Sequence, residues 1–96
     1  MIYTKLEDLQ THKDVLDPET YYSDRVVELA CRYTTMNERV LDLGTGTGIM
    51  AIDIKTNRPD LTVEATDIDP KAVTLAKANV GELDVKVFKN DKLKGL

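Results

Sequence analysis

A chain of 96 residues has room for one domain with a modest core. Its 42% apolar and 31% charged content is ordinary for a globular protein. A net charge of −4 argues against direct nucleic-acid binding, which wants clustered Lys and Arg, and the lone Cys31 excludes a disulfide framework and a thiolate metal site. No run nears the ~20 apolar residues of a membrane span. Glu7 and Asp8 stand where a signal peptide would be apolar, so the cytoplasm is the expected compartment.

Residues 1–16 read as a polar N-terminal arm, either loose or forming one short helix. Asp17-Pro18-Glu19-Thr20 is a helix start, with Asp as cap, Pro at the first helical position and an acid in the first turn. Val26, Leu29, Ala30 and Tyr33 follow at i, i+3, i+4 and i+7, which predicts one amphipathic helix reaching about Tyr33. Arg39 to Leu43 is a first strand running into Gly44-Thr45-Gly46-Thr47-Gly48, and a helix then continues to about Lys55. Leu61, Val63 and Ala65 alternate with polar residues in a second strand. Asp69-Pro70 opens another helix, with Val73, Ala76 and Val80 inward, and Gly81 ends it. Val85 and Val87 flank Lys86 in a third strand.

Strands joined by helices must run parallel with right-handed crossovers. The expected fold is therefore α/β: an incomplete Rossmann-like βαβαβ sheet of three parallel strands, order 3-2-1, preceded by an amphipathic helix. The sequence stops just after the third strand. The first strand would then be an open edge, able to drive self-association.

Three alternating glycines at a strand-to-helix junction point to a ligand that approaches the backbone closely. The helix opening at Gly48 would turn unpaired N–H groups and a positive dipole end toward it. Two ligands compete. Gly46-Thr47-Gly48-Ile49-Met50-Ala51 satisfies the dinucleotide pattern only when read two residues late. In register with the strand end, Ile49 stands where the third small residue belongs, and Asp42 lies inside the strand, facing any pyrophosphate with a like charge. A sulfonium with an ammonium group would be welcomed there, which favours S-adenosylmethionine. Asp67, 23 residues after Gly44, is placed for ribose hydroxyls, and Ile68 beside it for an apolar floor under the base. Asp69, before Pro70, reads as a helix cap. With no third carboxylate nearby, Asp67 and Asp69 are not expected to hold a metal.

Val40-Leu-Asp-Leu-Gly-Thr-Gly-Thr-Gly48, Ala65-Thr-Asp-Ile-Asp-Pro-Lys-Ala-Val73 and Ala76-Lys-Ala-Asn79 resemble class I S-adenosylmethionine-dependent methyltransferases. Within these, the chain is most similar to the enzymes that methylate a glutamine of peptide-chain release factors. Asp14 to Thr20 resembles, in shortened form, the segment before that family's first strand. The resemblance implies that residues 17–96 are a partial cofactor-binding domain. Asp42, Gly44, Thr45, Gly46 and Gly48 would line the methionine end of S-adenosylmethionine or S-adenosylhomocysteine, Asp67 would hold the ribose, and Asp91 would meet the adenine amino group. It also implies a release factor or another protein as substrate. The family's Asn-Pro-Pro-Tyr signature is absent from these residues, so no residue here is assigned to catalysis. The expected reading is a truncated or split N-methyltransferase. The alternatives are a non-catalytic, self-associating adaptor and, behind it, a dinucleotide-binding oxidoreductase fragment. No membrane partner is expected.

Overall fold

A computed structural model describes residues 1–90. Strands β1 (Arg39–Leu43), β2 (Thr62–Asp67) and β3 (Val85–Lys89) form one parallel sheet in the order β1-β2-β3. Helices α3 (Ile49–Asn57) and α4 (Pro70–Val80) are the crossovers, so the expected α/β fold and strand order are observed.

The register explains the two faces. Val40 pairs with Val63 and Val63 with Val85; Asp42 pairs with Ala65 and Ala65 with Val87. Because side chains alternate along a strand, these rows share one face. On it Val63, Ala65, Val85 and Val87 are buried in one core with Ile54, Val73, Ala76 and Val80. Each fully buried aliphatic there contributes about 1.5–3 kcal/mol. On the opposite face Leu41 and Leu43 remain 38% and 54% exposed on the edge strand. Arg39 pairs with Glu64 on that side, and Lys86 Nζ lies 5.4 Å from the centre of the Phe88 ring.

The single helix expected from Asp17 to Tyr33 is two helices, α1 (Pro18–Tyr21) and α2 (Asp24–Tyr33). Asp17 caps the first as expected, its Oδ1 accepting from Glu19 N at 2.9 Å. Tyr22 is then extended, and Ser23 caps the second helix through Oγ, which accepts from Val26 N at 3.2 Å. Within α2 the expected stripe is also out of phase. The buried side is Val27 and Cys31, with Ala30 packed beside them, while Val26 and Tyr33 of the expected stripe are 50% and 73% exposed. One residue corresponds to about 100° of helix rotation, which is the size of the error.

The N-terminal arm lies across the helices, with one 3-10 turn at Leu6–Asp8. Asn57 of α3 exchanges two hydrogen bonds with the Ile2 backbone, each 2.6 Å. Asp53, buried on α3, accepts from Thr4 N (2.9 Å), Thr4 Oγ1 (2.5 Å) and the Tyr22 hydroxyl (2.7 Å). Burial and the Asp53 carboxylate push the Tyr22 phenol well above its ordinary pKa. Farther along, Asn79 of α4 exchanges two bonds with the Gln10 backbone, and Val15 packs on Ala72 and Leu75. A salt bridge from Lys71 to Asp14 of 2.7 Å carries the arm toward the mouth of the sheet.

Candidate functional site

The site is built where β1 turns into α3. Gly44, Gly46 and Gly48 have φ of 69°, 56° and 89°, the left-handed region that costs any other residue about 1–2 kcal/mol. Gly48 has a second reason. A Cβ there would stand 3.3 Å from Ala76 Cβ and 3.4 Å from Ala76 Cα, so its hydrogen lets α3 start hard against α4. At Gly44 a Cβ would meet nothing within 4 Å.

The turn's own donors are committed within the protein. Thr45 N donates to Thr66 O (2.9 Å), Gly46 N to Asp67 Oδ2 (3.0 Å), Thr47 N to the Tyr21 hydroxyl (3.1 Å) and Gly48 N to Thr45 O (2.9 Å). Asp42 reaches back to the Ala51 N–H in the first turn of α3. The amides of the turn itself, from Thr45 to Gly48, are therefore taken. A dinucleotide pocket relies on such amides to cradle pyrophosphate.

Asp42 also accepts from Thr45 Oγ1 at 2.8 Å. Burial raises its pKa; the Thr45 and Ala51 hydrogen bonds oppose that rise, and the Asp67 carboxylate adds to it. The two acids therefore repel across the turn. Asp67 is held by Gly46 N at Oδ2 and by Asp69 N, 3.0 Å away, at Oδ1. A carboxylate offers about four acceptor positions, which leaves lone pairs for a diol. Asp69 caps α4 as expected, accepting from Lys71 N at 2.9 Å.

A cavity of about 400 Å³ lies over the turn, within the range of small-molecule sites. It is lined by Asp14, Val15, Leu16, Tyr21, Gly44, Gly46, Met50, Asp67, Asp69 and Ala72. Three of the expected site residues, Gly44, Gly46 and Asp67, thus meet around one space. Thr45 and Gly48 are buried in the turn, Asp42 is bonded to Thr45 without lining the space, and Ile68, just past β2, is 68% exposed. Asp91 lies outside the described residues. Leu16, Tyr21 and Met50 were not among the expected site residues; they come from the arm, α1 and α3, which only the tertiary fold brings over the turn. A larger cavity of about 600 Å³, between the arm and α4, is lined by Gln10 to Asp14 and by Pro70, Lys71, Thr74, Leu75 and Ala78. Lys71 and His12 there both face Asp14, and no glycine turn reaches it. Among the described residues no group of three or more His, Cys, Asp or Glu is arranged for a metal, and no helix is long and apolar enough to cross a membrane.

A parallel sheet, a glycine turn after β1 and an acid closing β2 define the N-terminal part of a class I methyltransferase domain. Residues 23–96 match the methyltransferase small domain, and the chain belongs to that family. Among its relatives, the release factor glutamine methyltransferase of Deinococcus radiodurans is 47% identical over 60 residues, which are 60% of this chain and 22% of that protein. The Streptococcus pneumoniae enzyme of the same name is 34% identical over 80 residues, 83% of this chain and 29% of its own length. The chain therefore spans less than a third of these curated relatives. A precorrin-6y C5,15-methyltransferase from Geobacter metallireducens superposes with a TM-score of 0.70 at 15% identity, over 93% of this chain and 47% of that one, which is a likeness of fold.

Proposed function

We propose that these residues form the cofactor-binding part of an S-adenosylmethionine-dependent N-methyltransferase acting on a protein glutamine, with a peptide-chain release factor as the first acceptor to test. The observation that carries the cofactor reading is the pairing of committed turn amides with two repelling carboxylates, Asp42 and Asp67. Such a site suits a cationic ligand and resists a pyrophosphate. The cavity over Gly44 and the lone pairs left on Asp67 fit an amino acid and a ribose respectively. The acceptor rests on the names of relatives that this chain matches over part of their length.

In this reading Asp67 binds the ribose diol, and the carboxylate of Asp42 balances positive charge at the turn. Leu16, Tyr21 and Met50 exclude water from the cavity. S-adenosylmethionine, when bound, supplies an activated methyl group for in-line displacement by a substrate nitrogen. The residues described here contribute binding and orientation, which hold the reactants for that displacement.

Calorimetry with S-adenosylmethionine, S-adenosylhomocysteine and NAD tests the cofactor. The first two are expected to bind, and binding of NAD in their place overturns the reading. Transfer of a labelled methyl group to a release factor, located by mass spectrometry, tests the acceptor; label on another residue type removes glutamine. A second reading, self-association through the free edge of β1, draws on the exposure of Leu41 and Leu43. Sedimentation of a dimer that binds neither thioether nor sulfonium favours it.

A further inference from the structure

Thr47 is 1% exposed in the middle of the glycine turn, and both its peptide groups and its hydroxyl are held by side chains from outside the turn. The Tyr21 hydroxyl accepts from Thr47 N at 3.1 Å and stands 2.5 Å from Thr47 Oγ1. From the opposite side, Asn79 Nδ2 donates to Thr47 O at 2.9 Å. The same Asn79 amide donates to Gln10 O at 3.0 Å and accepts from Gln10 N at 2.8 Å, so it is fully used. Tyr21 also lines the cavity, and its hydroxyl lies 3.0 Å from where a Cβ on Gly46 would stand.

We propose that Tyr21 and Asn79 are positioning residues: together they clamp Thr47 and set the glycine turn for the amino-acid end of the ligand. The inference rests on the cofactor reading above. Three consequences follow from the geometry. The clamp takes the Thr47 N–H, so this peptide cannot swing to offer its donor to an anion. It also fixes the Gly46–Thr47 peptide, whose neighbours wall the cavity next to Gly44. And because Asn79 serves Gln10 as well as Thr47, docking of the arm and the geometry of the turn depend on one amide. The nucleoside end is placed at Asp67, which the turn reaches through Gly46 N and which Asp69 N holds from outside the turn, so the clamp bears on it less directly.

That separation gives the test. Tyr21→Phe keeps the ring and its packing but removes the hydroxyl. By calorimetry it is expected to weaken S-adenosylhomocysteine about fivefold or more, the loss of one or two hydrogen bonds in ligand-supporting geometry. Adenosine, which has no amino-acid end, is expected to bind the variant within about twofold of the unsubstituted chain. Asn79→Asp, which keeps an acceptor for Gln10 N but loses both donors, is expected to shift the same ratio in the same direction. Equal losses for both ligands in Tyr21→Phe would show a merely structural tyrosine and overturn the inference, as would an unchanged S-adenosylhomocysteine affinity. If the unsubstituted chain binds neither ligand, the cofactor reading falls and this inference falls with it. If it binds both and the variant does too, only the clamp is lost. Melting of each variant without ligand separates a folding defect from a binding one.

Discussion

Replacing the three turn glycines by alanine, one at a time, separates what the turn does for the fold from what it does for a ligand. All three have positive φ, so each alanine carries about 1–2 kcal/mol of left-handed strain. Gly44→Ala adds nothing else, because the new methyl meets no atom within 4 Å, and it should cost only that strain. Gly46→Ala pushes the Tyr21 hydroxyl from 3.0 Å, and moving it removes the acceptor of Thr47 N. Strain plus an unsatisfied buried donor brings the expected cost to about 2–5 kcal/mol. Gly48→Ala meets Ala76, including its backbone Cα at 3.4 Å, which cannot rotate away. Overpacking there raises the cost to about 2–5 kcal/mol. Urea unfolding followed by circular dichroism checks the order, with Gly44→Ala mildest. Ligand binding should invert it. Gly44→Ala places its methyl in the cavity and is expected to abolish S-adenosylhomocysteine binding in a protein that remains folded. A Gly44→Ala variant that binds normally would refute the claim that a ligand approaches this backbone. The double change Gly46→Ala with Tyr21→Ala should be less destabilising than the sum of the singles, since the collision is gone; strict additivity would refute the contact.

Asp53→Ala should cost about 2–4 kcal/mol in urea unfolding, because Thr4 N and the Tyr22 hydroxyl lose their acceptor in a buried place, and exchange of the Thr4 amide should rise with it. Arg58 donates to both oxygens of Asp60, to the carbonyls of Cys31, Thr34 and Thr35 and to Thr34 Oγ1. It holds the Asp60 carboxyl well below the usual carboxylate range. Asp60 therefore stabilises the fold above the ordinary aspartate value of about 3.9, and that contribution is lost as pH falls through its depressed pKa. Arg58→Met should lower the melting temperature at neutral pH and flatten the loss of stability below pH ~4. Asp42 has the opposite sign: its folded pKa is raised, so its contribution is greatest below the unfolded value and declines as pH rises through the folded one. Asp42→Asn, which can still accept from Thr45 Oγ1, should melt no lower than the unsubstituted chain at neutral pH, yet lose more affinity for S-adenosylmethionine than for the uncharged thioether. An equal loss for the two ligands would remove Asp42 from any role beside the sulfonium.

What the sequence disclosed and what it hid divide along the range of the interactions. The strands were legible because alternation is local: Val63 and Ala65 or Val85 and Val87 declare a face within three residues, and the register only has to align them. The glycine turn was legible because positive φ at Gly44, Gly46 and Gly48 is a demand that few residues meet. The break at Tyr22 was masked because Ser23 is a sufficient cap only if the preceding residue is extended. The apolar spacing of Val26, Leu29, Ala30 and Tyr33 begins after the break and so carries no sign of it. Asp42 was legible as an acid in an unusual place, but not as an acid already bound to Thr45 and Ala51, since that depends on the turn's closure. Tyr21 was invisible for a different reason. It reaches Thr47 across 26 positions, and nothing in its neighbours distinguishes it from Tyr22, which goes to Asp53 instead. Two adjacent tyrosines go to different places, Tyr21 to Thr47 just before α3 and Tyr22 to Asp53 in its middle, with α1 ending between them. The setting of the glycine turn is therefore written partly in a helix break that local periodicity does not register: α1 ends at Tyr21, whose hydroxyl reaches Thr47.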